Sequence, residues 1–351
     1  MEISERIKKV FERENWILGD EVAELETLVA YYTGRKHAIA CGSGSDALYL
    51  ALDAAGINEF STVATTPFTF GATASAILRT GAKLIFVDIG QDLQIDAGIV
   101  STLPMLRHID AVVTVDLFGS TPNYQEIAEC GLRVIEDAAQ AFGSEYDRRK
   151  AGALGWAGCF SFHPSKPLGA IGDAGMVVVD DDDAAKAIRT RRNHGQGPVK
   201  YNYIEAGLNS RMDSIQAAAI LDKLDNYDAE LVRRRTLARL YRDNIKGVRH
   251  PIQSGGVRNP SFSIYPVLFD SPELREMAKA ALSRAGVWCR VYYPSALHLE
   301  PAYSFFNYKR GDFPRAERAC ETILALPMDE KASQVWNIEL LFEVMGEVLG
   351  K

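Results

Sequence analysis

The sequence lacks the features that mark secreted, zinc-binding and membrane-embedded proteins. Its five cysteines are odd in number and scattered through 351 residues, with no CxxC pair. This pattern indicates neither a disulfide framework nor a zinc site, and it fits the reducing cytoplasm. The N-terminal stretch is charged and amphipathic, unlike a signal peptide, and no apolar run approaches membrane-spanning length. We therefore expect a cytoplasmic protein with no membrane partner.

Positive charge is also scarce. The chain has 39 lysines and arginines against 46 aspartates and glutamates, for a net charge of -7. Broad nucleic-acid binding needs a concentrated basic surface, so we expect no nucleic-acid partner, and any anionic ligand must be bound by local donors. The acidic run Asp180–Asp183 stands without a second cluster of ligands. We interpret it as a solvated turn and helix start rather than a metal site.

Short β-branched runs alternate with helical patterns from His37 to about Asp180. The alternation predicts an α/β fold, with a mostly parallel mixed sheet flanked by helices. The predicted strands are His37–Cys41, Thr62–Thr66, Lys83–Asp88, Ala111–Asp116, Arg133–Glu136, Gly158–Phe162 and Gly175–Val179. The predicted helices between them are Ser45–Ala55, Thr69–Thr80 and Asn123–Cys130.

The pattern changes after Asp213. A long, charged helix is predicted over Asp213–Lys246, and a small α/β unit follows it. The predicted order in this unit is strand Ser263–Phe269, helix Ser271–Ala285, strand Val287–Tyr293 and helix Gln334–Leu349. Because single cores stop growing near ~250–300 residues, we expect two domains. Residues 1–235 would form a large domain with an N-terminal helix, and residues 236–351 a smaller C-terminal domain.

One lysine stands in an unusual setting. Lys166 lies between an apolar strand and a series of glycines, flanked by Phe162, Pro164 and Pro167. Such flanks favour a partly dry pocket, where the pKa of an amine falls and the amine becomes a nucleophile toward carbonyls. The alternative is an exposed lysine in a turn between two strands, which is how most lysines are found.

A carboxylate ends one of the predicted buried strands. Asp137 lies at the carboxyl end of the strand that begins at Arg133, where open α/β sheets bind ligands. A buried aspartate is costly without a cation, and the protonated pyridine nitrogen of pyridoxal phosphate would supply one. An N-cap role in the next helix is the other interpretation of Asp137. Gln140 follows by one helical turn and could reach the phenolic oxygen of that cofactor.

A glycine- and serine-rich turn leads from the first predicted strand into a helix. The run from Cys41 through Gly44 and Ser45 exposes backbone N–H groups at a helix start, which is a phosphate-binding arrangement. It has neither the Walker lysine spacing nor a full GxGxxG, so a nucleotide fold is disfavoured. Ser161 could add a hydroxyl to the same phosphate. Phe70 could stack on an aromatic ring or belong to the core.

Taken in order, these motifs resemble the DegT/DnrJ/EryC1/StrS family of pyridoxal-phosphate-dependent sugar aminotransferases, which have fold type I. The resemblance extends over nearly the whole chain. It rests on Ile17–Val22, Gly44–Leu48, Pro67–Thr73, Val134–Gln140, Ser161–Lys166, Arg192–Gln196, Gly207–Asp213, Tyr292–Pro294 with His298, and Leu326–Pro327.

The resemblance implies a role for each matching position. Lys166 would be the lysine that forms a Schiff base with the cofactor, Asp137 the partner of the pyridine nitrogen and Gln140 the ligand of the 3-hydroxyl. Phe70 would stack on the ring. Phosphate ligands would be Gly44, Ser45 and Ser161, and Asn209 would come from the neighbouring subunit of a homodimer. The active sites would then be shared between subunits.

The implied reaction moves an amino group from glutamate to a keto sugar of a nucleotide-diphosphate sugar, for amino-sugar biosynthesis. The residues from Lys166 to Gly175 are most similar to members that act on 3-keto sugars. Another cofactor-dependent reaction, such as dehydration, and a non-catalytic regulatory protein that binds the cofactor or a nucleotide sugar are the alternatives.

Candidate substrate residues are less clear than the cofactor residues. They are His163, His194, Arg211, Tyr293 and His298. Arg211 could bind a diphosphate or a sugar carboxylate. For His194 and His298 a structural role remains the alternative. His163 and Asp116 stand where many family members carry other residues.

Overall fold

A seven-stranded sheet is the centre of the computed structural model, which describes residues 4–102, 108–330, 332 and 334–350. The described strands are β1 (His37–Cys41), β2 (Thr62–Thr65), β3 (Lys83–Phe86), β4 (Ala111–Val115), β5 (Arg133–Asp137), β6 (Glu145–Tyr146), β7 (Arg149–Lys150), β8 (Ala157–Ser161), β9 (Gly175–Val179), β10 (Arg258–Asn259), β11 (Tyr265–Leu268) and β12 (Ile323–Leu326). The central sheet has the order β1-β9-β8-β5-β4-β2-β3.

Strand direction in this sheet is mostly parallel. The strands β8, β5, β4, β2 and β3 run parallel to one another, whereas β9 is antiparallel to both β1 and β8. Both faces are buried, and the central strands therefore consist of nearly continuous apolar runs. The predicted α/β class and mixed, mostly parallel sheet are confirmed. All seven strands predicted before Asp180 are present, with bounds that differ by at most two residues.

Helices cover the central sheet. They are α1 (Glu5–Arg13), α2 (Asp20–Thr33), α3 (Gly44–Ala54), α4 (Gly71–Arg79), α5 (Ala97–Thr102), α6 (Tyr124–Glu129), α7 (Asp182–Arg191), α8 (Ser214–Leu224), α9 (Tyr227–Asn244), α10 (Pro272–Arg284), α11 (Pro314–Thr322) and α12 (Val335–Val348). The acidic run at Asp180 begins α7, where Asp181 accepts a hydrogen bond from the backbone of Ala184. It is the helix start that the sequence predicted.

The C-terminal third differs from prediction in two elements. The predicted strand Val287–Tyr293 is wrong, because this segment forms only an isolated bridge between Arg290 and Ala325. The strand that pairs with β11 is instead β12, in antiparallel register. The predicted long helix over 213–246 is divided into α8 and α9 by a turn at Asp225 and Asn226.

The proposed domain boundary at residue 235 lies inside α9, a continuous helix. Buried side chains of this helix, such as Leu237 and Tyr241, belong to the same hydrophobic cluster as Ile39 of β1 and Leu326 of β12. A division into residues 1–235 and 236–351 thus remains a proposal about sequence organisation. Among the described residues, no helix is long and apolar enough to cross a membrane.

Candidate active site

A cavity of about 480 Å³ opens at the carboxyl ends of β5 and β8. This volume lies in the range of small-molecule sites, and the position is where open α/β sheets bind ligands. It brings together nine of the residues that the sequence predicted, from widely separated motifs. They are Gly44, Ser45, Phe70, Asp137, Gln140, Ser161, His163, Lys166 and Tyr293.

Lys166 is held in a loop fixed at both ends. Its backbone N–H donates to the carbonyl of His163 at 2.8 Å, closing a turn just after β8. The backbone of Phe162 bonds to Ala174 and Ala170 at 2.8 and 2.7 Å, which ties the loop to the start of β9. Burial lowers the pKa of the Lys166 amine, and the charge of Asp137 acts in the opposite direction. The lysine is therefore partly buried and lines the cavity, as the flanking residues predicted.

The start of α3 approaches Ser161 so closely that only glycine fits at position 44. A Cβ on Gly44 would lie 2.6 Å from the Cβ of Ser161. Ser43 caps the helix by accepting the backbone N–H of Asp46 at 3.1 Å. The free backbone N–H groups of the first helical turn and the positive end of the helix dipole face this corner of the cavity, an arrangement suited to an anion.

Asp137 lies on the floor of the cavity with few donors. Its Oδ2 accepts a hydrogen bond from the hydroxyl of Thr73 at 2.7 Å, and its Oδ1 accepts one from the backbone of Ala139 at 3.3 Å. Burial raises the pKa of this carboxyl, while the bond from Thr73 and the charge of Lys166 lower it. A carboxylate in this position has room for a cationic partner on the cavity side.

Gln140 joins two parts of the cavity wall. Its Oε1 accepts the backbone N–H of Phe118 at 2.9 Å, and its Nε2 donates to the hydroxyl of Tyr293 at 3.2 Å. Phe70 lies at the cavity, at the residue that precedes α4, with 64% of its surface exposed. An aromatic ring so exposed beside a cavity can stack on a planar ligand.

Four predicted site residues do not line the cavity within this chain. Asn209 accepts a hydrogen bond from Arg211 at 3.2 Å, and His194 is exposed in the neighbouring loop, where it bonds through its backbone to Leu208. His298 is 2% exposed; its Nε2 lies 3.1 Å from Glu317 and its ring packs on Phe313. The surroundings of His298 match the structural alternative rather than a substrate contact.

The cavity also contains residues that sequence reasoning did not single out. Thr73 does not line the cavity itself, but it is the most important of the residues beside it because it donates a hydrogen bond to Asp137. It ends the motif Pro67–Thr73 and follows Thr69 by one helical turn, with 2.9 Å between the two hydroxyls. That helical spacing was the available signal. Ser43, Ser165 and Asp173 also line the cavity.

Comparison with known proteins agrees with this geometry. The DegT/DnrJ/EryC1/StrS aminotransferase family matches residues 1–335. A "Pleiotropic regulatory protein" of Geobacillus stearothermophilus is 39% identical over 336 residues, covering 93% of this chain and 89% of its own. The "UDP-2-acetamido-2-deoxy-3-oxo-D-glucuronate aminotransferase" of Pseudomonas aeruginosa is 36% identical over 328 residues, covering 92% of this chain and 89% of its own.

A solved structure supports the same assignment. The DegT DnrJ EryC1 StrS aminotransferase from Brucella abortus superimposes with a TM-score of 0.92 at 34% identity, over 99% of this chain and 95% of that one. Family match, relatives and fold coincide over nearly the full length. The chain is thus a member of the DegT/DnrJ/EryC1/StrS family of pyridoxal-phosphate-dependent aminotransferases.

Proposed function

We propose that this protein transfers an amino group from glutamate to the 3-keto position of a nucleotide-diphosphate sugar, with pyridoxal phosphate as cofactor. The observation that carries the proposal is the cavity itself. A partly buried lysine, a sparsely bonded buried carboxylate and a helix N-terminus surround a single space. Few small molecules besides this cofactor combine a carbonyl, a ring nitrogen and a phosphate.

The residues present fit that cofactor. Its phosphate would lie at the start of α3, between Gly44, Ser45 and the hydroxyl of Ser161. The contact that excludes a Cβ at Gly44 supports this, because it brings the helix start beside Ser161. Phe70 would cover one face of the ring. Gln140 would bind the 3-hydroxyl while it retains its bond to Phe118.

Asp137 would pair with the protonated ring nitrogen. Burial raises the pKa of this carboxyl, and its two donors, Thr73 and Ala139, offset that rise only in part. A cation on the cavity side would compensate the charge of the carboxylate and favour the ionised form. When bound, pyridoxal phosphate supplies an electron sink that stabilises negative charge beside the transferred nitrogen.

Lys166 would move the proton. The lowered pKa of its amine leaves a larger neutral fraction at physiological pH, and a neutral amine can accept the α-proton of the amino donor. The turn closed by the hydrogen bond between Lys166 and His163 would keep Nζ of Lys166 at the cavity during both half-reactions. His163 and Tyr293 also line the cavity, so we propose that they contact the substrate.

We further propose that the working site is shared in a homodimer. Among the residues that the structure describes, the cavity lining includes only Lys166 and His163 as basic residues, against Asp137 and Asp173. A diphosphate needs more positive charge than this chain brings to its own cavity. Arg211, His194 and Asn209 lie outside it, so we propose that a partner subunit supplies such residues. The nearby segment also exposes apolar side chains: Val199, Tyr201, Tyr203 and Ile204.

The proposed substrate follows the relative from Pseudomonas aeruginosa, which acts on a 3-oxo sugar nucleotide according to its name. The relative from Geobacillus stearothermophilus bears a regulatory name at comparable identity. A regulatory role that uses the same bound cofactor is thus the second candidate. All five cysteines are free thiols, which supports the proposal that the protein works in the reducing cytoplasm.

The test is turnover by the cofactor-loaded protein. With glutamate, we expect the cofactor absorption band to change and 2-oxoglutarate to form. A 3-keto nucleotide sugar should then restore the band, and a 4-keto isomer should do so far more slowly. Lys166→Ala should abolish both half-reactions, while Lys36→Ala, at an exposed lysine paired with Asp182, should leave them unchanged. Cofactor binding without turnover on any keto sugar would favour the regulatory candidate.

A further inference from the structure

Asp116 is a fully buried carboxyl that has no positive partner among the described residues. It follows β4 directly and is 0% exposed. Its Oδ1 accepts a hydrogen bond from the hydroxyl of Tyr124 at 2.7 Å, whereas its Oδ2 has no hydrogen-bond partner. Such an uncompensated position is costly for a carboxylate and much less so for a carboxylic acid.

Within the described part of the chain, the ionisable groups that act most strongly on Asp116 are acids. They are Glu136 and Asp137 of β5 and Tyr124 of α6. Arg35, the basic residue near Glu136, approaches Glu136 at 3.7 Å and pairs with Asp180 at 2.7 Å. Burial, followed by the charge of Glu136, raises the pKa of Asp116, and the bond from Tyr124 opposes this shift.

The segment that Asp116 begins holds two of the proposed cofactor residues. The backbone N–H of Asp116 donates to the carbonyl of Asp137 at 3.0 Å, and the backbone N–H of Phe118 donates to Gln140. Phe118 has a φ of 62°, in the left-handed region that is costly for phenylalanine. A strained turn persists only where its surroundings hold it. Here the side-chain Nε2 of Gln94 donates to the carbonyl of Leu117, and its Oε1 accepts the backbone N–H of Leu117.

We propose that Asp116 is a positioning residue that remains protonated in the working enzyme, so that its turn can hold Asp137 and Gln140 without placing a further negative charge beside them. Ionisation of Asp116 would add a buried, unpaired charge next to the turn and loosen it. The cofactor roles of Asp137 and Gln140 rest on the proposed function, whereas the protonation state of Asp116 does not.

The test is the pH dependence of unfolding for wild type and Asp116→Asn, measured with urea on the cofactor-free protein from pH 5 to pH 9. Asparagine copies the shape and neutrality of the protonated acid. An acid whose pKa is raised in the folded state binds its proton more tightly there, so wild-type stability falls as pH rises. The ratio of unfolding constants, wild type to variant, should therefore rise about tenfold per pH unit until the folded-state pKa is reached.

An ionised Asp116 would give a ratio of unfolding constants that does not change with pH. The variant would then be less stable than wild type by an amount independent of pH over this range, and the proposal would be overturned. Asp88→Asn is the control, since this buried carboxylate accepts backbone N–H groups from Ile89, Arg315 and Ala316. The Asp88→Asn variant should be less stable than wild type at every pH. Its ratio of unfolding constants, wild type to variant, should not rise tenfold per pH unit.

A second pair of variants keeps the proposal testable if Asp116→Asn does not fold. Tyr124→Phe removes the donor to Asp116, and Tyr146→Phe removes a comparable hydroxyl that donates to Asn123 at 2.8 Å. If Asp116 is neutral, both should raise the unfolding constant by no more than about tenfold. A much larger loss for Tyr124→Phe alone would mean that Asp116 is ionised.

The positioning role is tested by cofactor affinity. The affinities of Asp116→Asn and wild type for pyridoxal phosphate should agree as long as the stability ratio still rises, because Asp116 is then neutral in the folded protein, and the variant should bind better above the pH at which that ratio levels off. An affinity ratio that does not change across the pH at which the stability ratio levels off would overturn the positioning role. If transamination fails while the stability slope is found, the proposed function is wrong and the protonation of Asp116 stands.

Discussion

Glu136 and Asp137 are adjacent carboxylates on β5, and both are buried, but their surroundings differ completely. Glu136 accepts backbone N–H groups from Gly152, Leu154 and Gly155 and lies 3.7 Å from Arg35. Asp137 has two donors and faces the cavity. Successive residues of a strand point to opposite faces of the sheet, so neighbours in sequence can belong to different environments.

The difference shows that burial alone does not identify a functional carboxylate. Burial raises the pKa of both groups. What separates them is the surroundings of each carboxylate: three backbone N–H groups and Arg35 surround Glu136, whereas Asp137 has two donors and lines the cavity. A buried acid that is incompletely bonded and lines a cavity has capacity for a ligand.

The largest effect is expected at Glu136. Glu136→Ala removes the acceptor of several backbone N–H groups and leaves Arg35 without its buried partner. Breaking such a pair costs about 3–5 kcal/mol of unfolding free energy. Urea unfolding measures it. A loss below about 1 kcal/mol would mean that the two carboxylates are less different than their bonding indicates.

Asp137→Ala should produce the converse result. We expect a loss of about 10²–10³-fold in kcat, comparable to removal of one preorganised electrostatic group. The stability of the cofactor-free protein should change little, because few protein donors lose a partner. Steady-state kinetics and urea unfolding on the same preparation measure the two quantities. Strong destabilisation without cofactor would place Asp137 in the same class as Glu136.

The third expectation concerns the opposite wall of the cavity. In Gly44→Ala, the new Cβ would meet Ser161 at 2.6 Å and separate the helix start from the serine. Overpacking of this kind costs about 1–3 kcal/mol, which we expect as weaker cofactor binding. Gly98→Ala is the control, because the nearest atom to its added Cβ is 3.3 Å away, on the side chain of Asp96. Equal affinities for both variants would argue against a phosphate at α3.

An effect of similar size is expected at the donor to Asp137. Thr73→Val removes one hydrogen bond to the carboxylate, worth about 1.5–3 kcal/mol when the acceptor is charged. We therefore expect kcat/KM to fall by at least roughly tenfold, which corresponds to the lower end of that free-energy range. Thr33→Val removes a buried hydroxyl that donates to Val29 at 2.7 Å, far from the cavity. Loss of activity in Thr33→Val alone would contradict the assignment.

The smallest effect is the pH dependence that Lys166 contributes. Burial lowers the pKa of its amine in the folded state, so the charged lysine destabilises the cofactor-free protein below that pKa. This penalty fades as pH rises toward the unfolded value. Lys166→Met should be more stable than wild type near pH 7, with a gap that closes by about pH 10.4. A stability difference between Lys166→Met and wild type that widens as pH rises would mean that folding raises the pKa of Lys166 instead of lowering it.

Local patterns predicted much of this molecule. The strands of the central sheet follow from short apolar runs, and their carboxyl ends follow from direction, which is why Asp137, Ser161 and Lys166 could be placed near one another. Motif order added the family. The error at Val287–Tyr293 has the same origin, because an apolar run reports burial but not whether a neighbouring strand is present to pair with it.

The sequence alone determined the fold class, through its periodicity, and the family, through the order of its motifs, and from these it proposed the group of cofactor residues. Only the tertiary structure decided which buried groups have partners. Thr73 reaches Asp137 across the fold, His298 is enclosed by Glu317 and Phe313, and Asp116 has no cation among the described residues. Hydrogen bonding and charge compensation depend on distances in space, and residues far apart in sequence set those distances.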